Sequence, residues 1–184
     1  AGPSEVLIVA GKENDPAWIA GDLLAQAEHD EAAQSILVTD DEAFARAVAA
    51  EVERQLAVLP RAAVARASWR NHGAMILVKD FSAAPALVDR IAPEHLQICL
   101  ADPEPVAGRV RHAGAIFLGA HTPEAVGDYV GGPNHVLPTG RRARFSSGLS
   151  VLDFMKRTSF LACDADSIRV IGPDGCQPEK FKPS

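Results

Sequence analysis

Two kinds of hydrophobic pattern alternate along the chain as far as Leu118. Short apolar, β-branched runs occupy residues 5–10 (EVLIVA), 35–38, 74–78, 96–100 and 115–118, and runs of this length predict strands buried on both faces. Between them the apolar residues recur at helical spacing. After a loop ending at Asp15-Pro16, residues 17–28 put Ile19, Leu23, Leu24 and Ala27 on one face. A capped helix is predicted from Asp40 to about Leu56, with Pro60 as its stop, and shorter helices over 62–69, 84–90 and 104–110. Five short strands alternating with helices predict an α/β fold: a doubly wound, mostly parallel sheet with helices on both faces. Right-handed crossovers then gather the strand C-terminal ends along one edge, the usual place for a ligand.

Beyond Leu118 the pattern breaks down. Residues 119–148 are rich in Gly, Pro, His and Arg, and so long an irregular stretch points to an active-site region. Residues 150–159 (SVLDFMKRTS) again suit a helix, whereas 173–184 are polar, rich in Pro and predicted not to pack. The expected organisation is an α/β domain over 1–118, a loop region over 119–148, the start of a helical extension over 149–172 and a tail over 173–184. The chain begins at Ala1, directly before a turn and strand, which leads to the expectation that further sequence precedes it.

Composition narrows the function. The 184 residues are 47% apolar, enough for a core of ordinary size. Eighteen basic residues against 24 acidic ones leave a net charge of −6, and only Arg141, Arg142 and Arg144 cluster, which argues against nucleic acid as a partner. No apolar run approaches the roughly 20 residues that span a bilayer, and no basic segment precedes the first apolar run, so a cytoplasmic protein with no membrane partner is expected. Cys99, Cys163 and Cys176 are odd in number and widely spaced, unlike a disulfide framework or a metal knuckle.

Candidate chemistry falls in a few places. Gln26 and His29 stand three apart near a helix end and can face one point; imidazole is a common zinc ligand and a Gln amide a poor one. The plainer alternative is a His29 that caps the helix dipole beside a solvated Gln26. Glu94 and His95, in Pro93-Glu94-His95-Leu96, put a carboxylate and an imidazole side by side where helix gives way to strand, a pair able to divide acid and base work or simply a polar connector. Asp128 and His135 lie among the glycines of Gly127-Asp128-Tyr129 and Gly132-Pro133-Asn134-His135, where turn formation also explains Asp and Asn. Ser4 either donates into a site or starts the first strand. No Gly-x-Gly-x-x-Gly follows any predicted strand, and His72, His112 and His121 read as surface residues.

Taken in order and at their spacing, AGPSEVL, DLLAQAEHD, Pro-Glu-His-Leu, GDYVGGPNHVLPT and SSGLSVLDFMKR resemble the histidinol dehydrogenases, from Ala1 to about Ile171. The resemblance implies a Rossmann-like domain and an enzyme of histidine biosynthesis. Such an enzyme oxidises L-histidinol to L-histidine in two steps through an aldehyde, with two NAD and one Zn2+. It further implies Gln26, His29 and Asp128 as zinc ligands, His95 as the base that takes the alcohol proton, and Glu94 as the residue that activates water. Ser4, Gln26, His29, His95, Asp128 and His135 would meet the substrate.

Family members carry NAD contacts in an N-terminal half that has no counterpart here, so no cofactor-binding residue is expected in this chain. They work as homodimers whose C-terminal arm brings a His ligand and a substrate-binding Glu to the partner, yet no histidine follows His135. From about Pro173 the resemblance ends, as after a truncation or a reading-frame slip. Two other readings stay open: a related dehydrogenase of another amino alcohol or a sulfonated diol, and a decayed zinc-binding domain without catalysis. If the resemblance holds, the isolated chain mixed with zinc, NAD and histidinol gives no sustained rise in reduced-NAD absorbance. Steady turnover would show that the chain suffices alone.

Overall fold

The computed structural model describes residues 2–132 and 134–175, with the backbone alone for residue 128 and residues 172–175. Strand β1 (Glu5–Ala10) is buried along its whole length, as EVLIVA requires. Helix α1 (Pro16–Ala27) starts where Asp15 accepts the Ala17 N–H at 2.8 Å and Pro16 fills a first-turn position that needs no N–H. Strand β2 (Gln34–Thr39) leads to α2 (Glu42–Leu56), capped by Asp41, which accepts the Phe44 N–H at 2.8 Å. The cap is therefore Asp41 and not Asp40. Helix α3 (Ala62–His72), strand β3 (Ala74–Leu77) and helix α4 (Ala84–Ile91) follow.

Strand β4 (His95–Cys99) begins one residue earlier than the apolar run suggested, which brings His95 into the ladder. Helix α5 (Glu104–Ala107) is a single turn rather than the longer helix expected over 104–110. Gly108 N–H bonds back to Glu104 O at 2.8 Å, and the chain leaves through the tighter turns Arg109 N–H to Val106 O and Val110 N–H to Ala107 O. Strand β5 (Ala115–Leu118) and helix α6 (Glu124–Tyr129) complete the elements that matter for the site.

The five strands form one parallel sheet in the order β3-β2-β1-β4-β5. The chain steps outward from β1 to β3, and α4 then carries it back across β1 to β4, so the winding reverses between β1 and β4. Alternation along β1 serves both faces. Val6, Ile8 and Ala10 pack with Leu23 and Leu24 of α1 and with Val48 and Val52 of α2. Leu7 and Val9 pack with Leu96 and Ile98 of β4 and with Ala84 and Val88 of α4. This is the doubly wound α/β architecture that the sequence pattern implied. Because Leu96 and Ile98 take the α4 face, His95, Gln97 and Cys99 point to the α1 face.

One compact unit ends at Ser150 and a second begins at Val151. In the second, the helix expected over 150–159 is reduced to the 3-10 turn Val151–Phe154, and α7 (Ala165–Gly175) follows, with Asp164 accepting the Ser167 N–H at 2.7 Å. Val151, Leu152, Phe154 and Met155 are all exposed, and a short helix draws most of its stability from burying its apolar face. Helix α7 takes in residues 173–175, and the polar stretch beyond it lies outside the described residues.

Ile8 is fully buried at the centre of the sheet, so Ile8→Ala is expected to cost about 2–5 kcal/mol in urea unfolding. Val58→Ala, at an 81% exposed position, should stay within about 0.5 kcal/mol. Equal effects at the two positions would contradict the assignment of the core.

Candidate active site

Helix α4 ends at Ala92 in the left-handed conformation (φ 53°), which turns the chain sharply into Glu94 and β4. Gly114 passes so close that a Cβ there would lie 2.5 Å from Glu94 O, and Ala115 N–H donates to that oxygen at 2.9 Å. Glu94 and His95 are both buried. Across the ladder, the first residue of β1 meets them in a reciprocal arrangement. Glu5 N–H donates to Glu94 Oε2 at 3.1 Å, and Glu94 N–H donates to Glu5 Oε2 at 3.2 Å. The other carboxylate oxygen of Glu5 accepts the Gly140 N–H at 3.2 Å, while Gly2 N–H donates to Thr139 Oγ1 at 2.9 Å. The loop over residues 139–140 is thereby tied to the start of β1.

His95 Nδ1 lies 3.0 Å from Glu5 O. A carbonyl only accepts, so Nδ1 carries a proton, and the neutral form of the ring then has its lone pair on Nε2. Two carboxylates also approach Nδ1, Glu94 Oε2 and Glu124 Oε1, each at 3.7 Å. Phe117 of β5 packs beside the imidazole with ring centroids 6.1 Å apart, and Gly127 of α6 lies against the Phe117 ring, where a side chain would clash. Burial pushes the Glu5 carboxyl above its usual range, opposed by the N–H donors of Glu94 and Gly140 and by the charge of Arg141.

A pocket of about 200 Å³ opens beside this cluster, with Asp22, Glu28 and His29 on the α1 side and Glu124, Ala125 and Tyr129 on the α6 side. Glu124 thus links the pocket to His95. Asp22, Gln26 and His29 are spaced four and three apart, so they form one stripe along α1. Gln26 is 1% exposed, and neither of its amide atoms has a hydrogen-bond partner among the described residues. His29 is exposed just past the end of α1, its N–H bonding Gln26 O at 3.1 Å. Asp128 belongs to α6, but its side chain lies outside the described residues.

Ser4 is half-buried and stands beside the cluster as the neighbour of Glu5; its carbonyl accepts the Gln34 N–H at 2.9 Å. His135 is exposed, and no side-chain hydrogen bond or ion pair joins it to the cluster among the described residues. Asn134 does the turn-forming work considered for it, accepting the Val136 N–H at 2.7 Å. The exposed His121 meets the edge of Trp18 at 6.0 Å. No cluster of three His, Cys, Asp or Glu side chains suited to a metal occurs among the described residues, a set of residue types that leaves out Gln26.

Glu5, Asp22, Gln97 and Glu124 were not singled out in the sequence. Gln97 Nε2 donates to Asp22 Oδ2 at 2.7 Å and contacts Cys99 Sγ at 3.2 Å, which extends a buried polar column along the α1 face of β4. Desolvation raises the Asp22 carboxyl above its usual range, against the Gln97 hydrogen bond, and the buried Cys99 thiol is pushed up to about 11. An acidic residue opening a fully buried strand, and an amide within another, were the available signals for Glu5 and Gln97.

The cluster stands at the strand N-terminal edge, because Glu94 and His95 come from the turn that enters β4. This is opposite to the edge where the topology led us to expect a ligand. At that C-terminal edge, where the winding reverses, Asn14 Nδ2 donates to Gly11 O at 2.9 Å and to Cys99 O at 2.8 Å, bridging the ends of β1 and β4. The Glu13 carboxylate covers Gly11. A phosphate in that crevice would meet a carboxylate rather than free N–H groups.

A family model described as histidinol dehydrogenase matches residues 1–177, which carries the match past Ile171. The histidinol dehydrogenase of Ruegeria pomeroyi is 63% identical over 177 residues, covering 96% of this chain and 41% of that protein. That of Rhodospirillum rubrum is 66% identical over 174 residues, covering 94% and 40%. Among solved structures, histidinol dehydrogenase from Elizabethkingia anophelis aligns with a TM-score of 0.84 at 38% identity, over 95% of this chain and 40% of that one. The chain thus spans about 40% of the length of the curated relatives it matches.

Asp22 gives a pH signature. Its folded pKa is raised, so the folded state favours the protonated form, and that stabilisation is lost as the pH rises from the unfolded value through the folded one. Asp22→Asn keeps an acceptor for Gln97 Nε2 without the buried charge. Chemical unfolding at a series of pH values should therefore show the variant gaining on the parent across that window and then levelling off. A pH-independent difference would contradict the burial of Asp22.

Proposed function

The chain belongs to the histidinol dehydrogenase family, and from that premise we propose that it forms the proton-transfer and metal-holding part of an enzyme oxidising L-histidinol to L-histidine through histidinaldehyde. The observation that carries this reading is the hydrogen bond from His95 Nδ1 to Glu5 O at 3.0 Å. It leaves Nε2 as the acceptor on the neutral ring, the state a general base needs. His95 Nε2 takes the hydroxyl proton as the carbinol carbon gives up hydride. Glu94 then removes a proton from the water that adds to the aldehyde carbon. Loss of a second hydride and of a hydroxyl proton from that hydrate leaves the carboxylic acid. NAD supplies the hydride acceptor for both oxidations, from a site we place outside this chain.

Gln26 supports a metal in the site. A buried amide left without partners costs about 1–3 kcal/mol, which a cation bound to its oxygen would offset. We place zinc on Gln26, His29 and Asp128. Bound there, it supplies a Lewis-acid anchor for the substrate imidazole and amine, and so an orienting role. Ser4 and His135 are proposed to meet the substrate as well, and a second copy of the subunit to complete the metal site in a homodimer. No helix among the described residues is long and apolar enough to cross a membrane, which agrees with the cytoplasmic location we propose.

Activity is tested by grafting the chain in place of the matching segment of the Ruegeria pomeroyi enzyme. The graft is expected to oxidise histidinol, and His95→Asn within it to lower kcat by about 10²–10⁴. Full activity in His95→Asn, or a preference for a different amino alcohol, would overturn the assignment.

A further inference from the structure

We infer that Glu5 is a positioning residue whose side chain keeps the Glu94 carboxylate off His95 Nδ1, so that the imidazole remains a neutral base with its lone pair at Nε2. The inference rests on the reading of His95 as the proton acceptor and extends it to a residue outside the reacting groups.

Among the described residues, three oxygens compete for the Nδ1 proton. Glu5 O holds it at 3.0 Å, while Glu94 Oε2 and Glu124 Oε1 both stand at 3.7 Å. A charged acceptor ordinarily makes the stronger bond, so the carbonyl should lose this competition. It wins because Glu94 Oε2 is drawn toward the Glu5 N–H at 3.1 Å, and because Glu5 Oε2 fixes the Glu94 backbone through its N–H at 3.2 Å. Each residue holds the other at the place where the two strands begin. The register carries this to the ring, since Val6 pairs with His95 in the next rung.

The chemistry explains why a carboxylate is needed there. Oε2 accepts from Glu94 N–H and Oε1 from Gly140 N–H, so both oxygens must be acceptors. A glutamine satisfies one of these donors and aims its NH₂ group at the other. Among the described residues, the groups facing His95 from the packed elements are Glu94 beside it, Glu5 from β1, Glu124 from α6 and the apolar Phe117 from β5, while Asp22 of α1 meets Gln97 instead. Loss of the Glu5 side chain therefore releases Glu94 toward the ring. The imidazole then holds its second proton to higher pH, and Glu94 is drawn away from the water it is proposed to activate.

The test is a ¹H–¹³C NMR titration of the His95 Cε1–H signal in the full chain, with no substrate. Glu5→Gln is expected to raise the midpoint by about one unit, the lower end of the effect of an added carboxylate contact. The double variant Glu5→Gln with Glu94→Gln should bring the midpoint back to the parent value or below it, since it also removes the carboxylate 3.7 Å from Nδ1, which general loosening of the fold would not produce. Should Glu5→Gln fail to fold, Glu5→Asp keeps the charge but cannot reach both N–H groups, and a smaller rise is expected. An unchanged midpoint in the single variant, or a rise that persists in the double one, would overturn the proposal. Neither result depends on histidinol turnover, so a failure of the proposed activity in the graft is read separately.

Discussion

The reciprocal hydrogen bonds between Glu5 and Glu94 fix the point from which the candidate chemistry is organised. They replace, with side chains, the rung of backbone ladder that would precede Val6 and His95, and they do so where β1 and β4 are adjacent although far apart in sequence. Two buried carboxylates at one strand junction are costly unless each finds N–H donors. Here the donors are the backbone groups that also set the register. The arrangement therefore joins the sheet register to the contacts of the His95 ring through one short stretch of β1.

The same sheet treats its two edges in opposite ways. At the C-terminal edge, where the winding reverses, Asn14 bridges the ends of β1 and β4, and the Glu13 carboxylate lies over Gly11. At the N-terminal edge Glu5, Glu94 and His95 meet the pocket between α1 and α6 through Glu124. Helix α1 runs antiparallel to β1, which brings the Gln26 and His29 end of the helix to the edge where β1 and β4 begin. A fold commonly used to hold a ligand at one end thus presents its proposed acid–base residues at the other.

Much of this was legible in the sequence because two periodicities separate cleanly. EVLIVA, the spaced leucines of α1 and the break at Pro60 together imply the parallel sheet and its covering helices. The Glu94-His95 pair was visible through adjacency, and Gln26 and His29 through helical spacing. What the sequence could not carry was contact between distant segments: Glu5 with Glu94 and Gly140, Glu124 with His95, and Asp22 with Gln97. The position of the candidate cluster at the other edge was not legible for a related reason, since topology indicates where ligands usually bind and not which turn carries a given pair of side chains. Residues 150–159 suit a helix by sequence, whereas their apolar side chains Phe154 and Met155 are exposed, and a short helix depends on burying its apolar face.

The central claim concerns a single proton. A long-range ¹H–¹⁵N correlation spectrum of the unmodified chain at neutral pH reads the His95 ring tautomer directly. The account predicts the proton on Nδ1 and an unprotonated Nε2. A ring protonated at Nε2, with a bare Nδ1 facing Glu5 O, would contradict it.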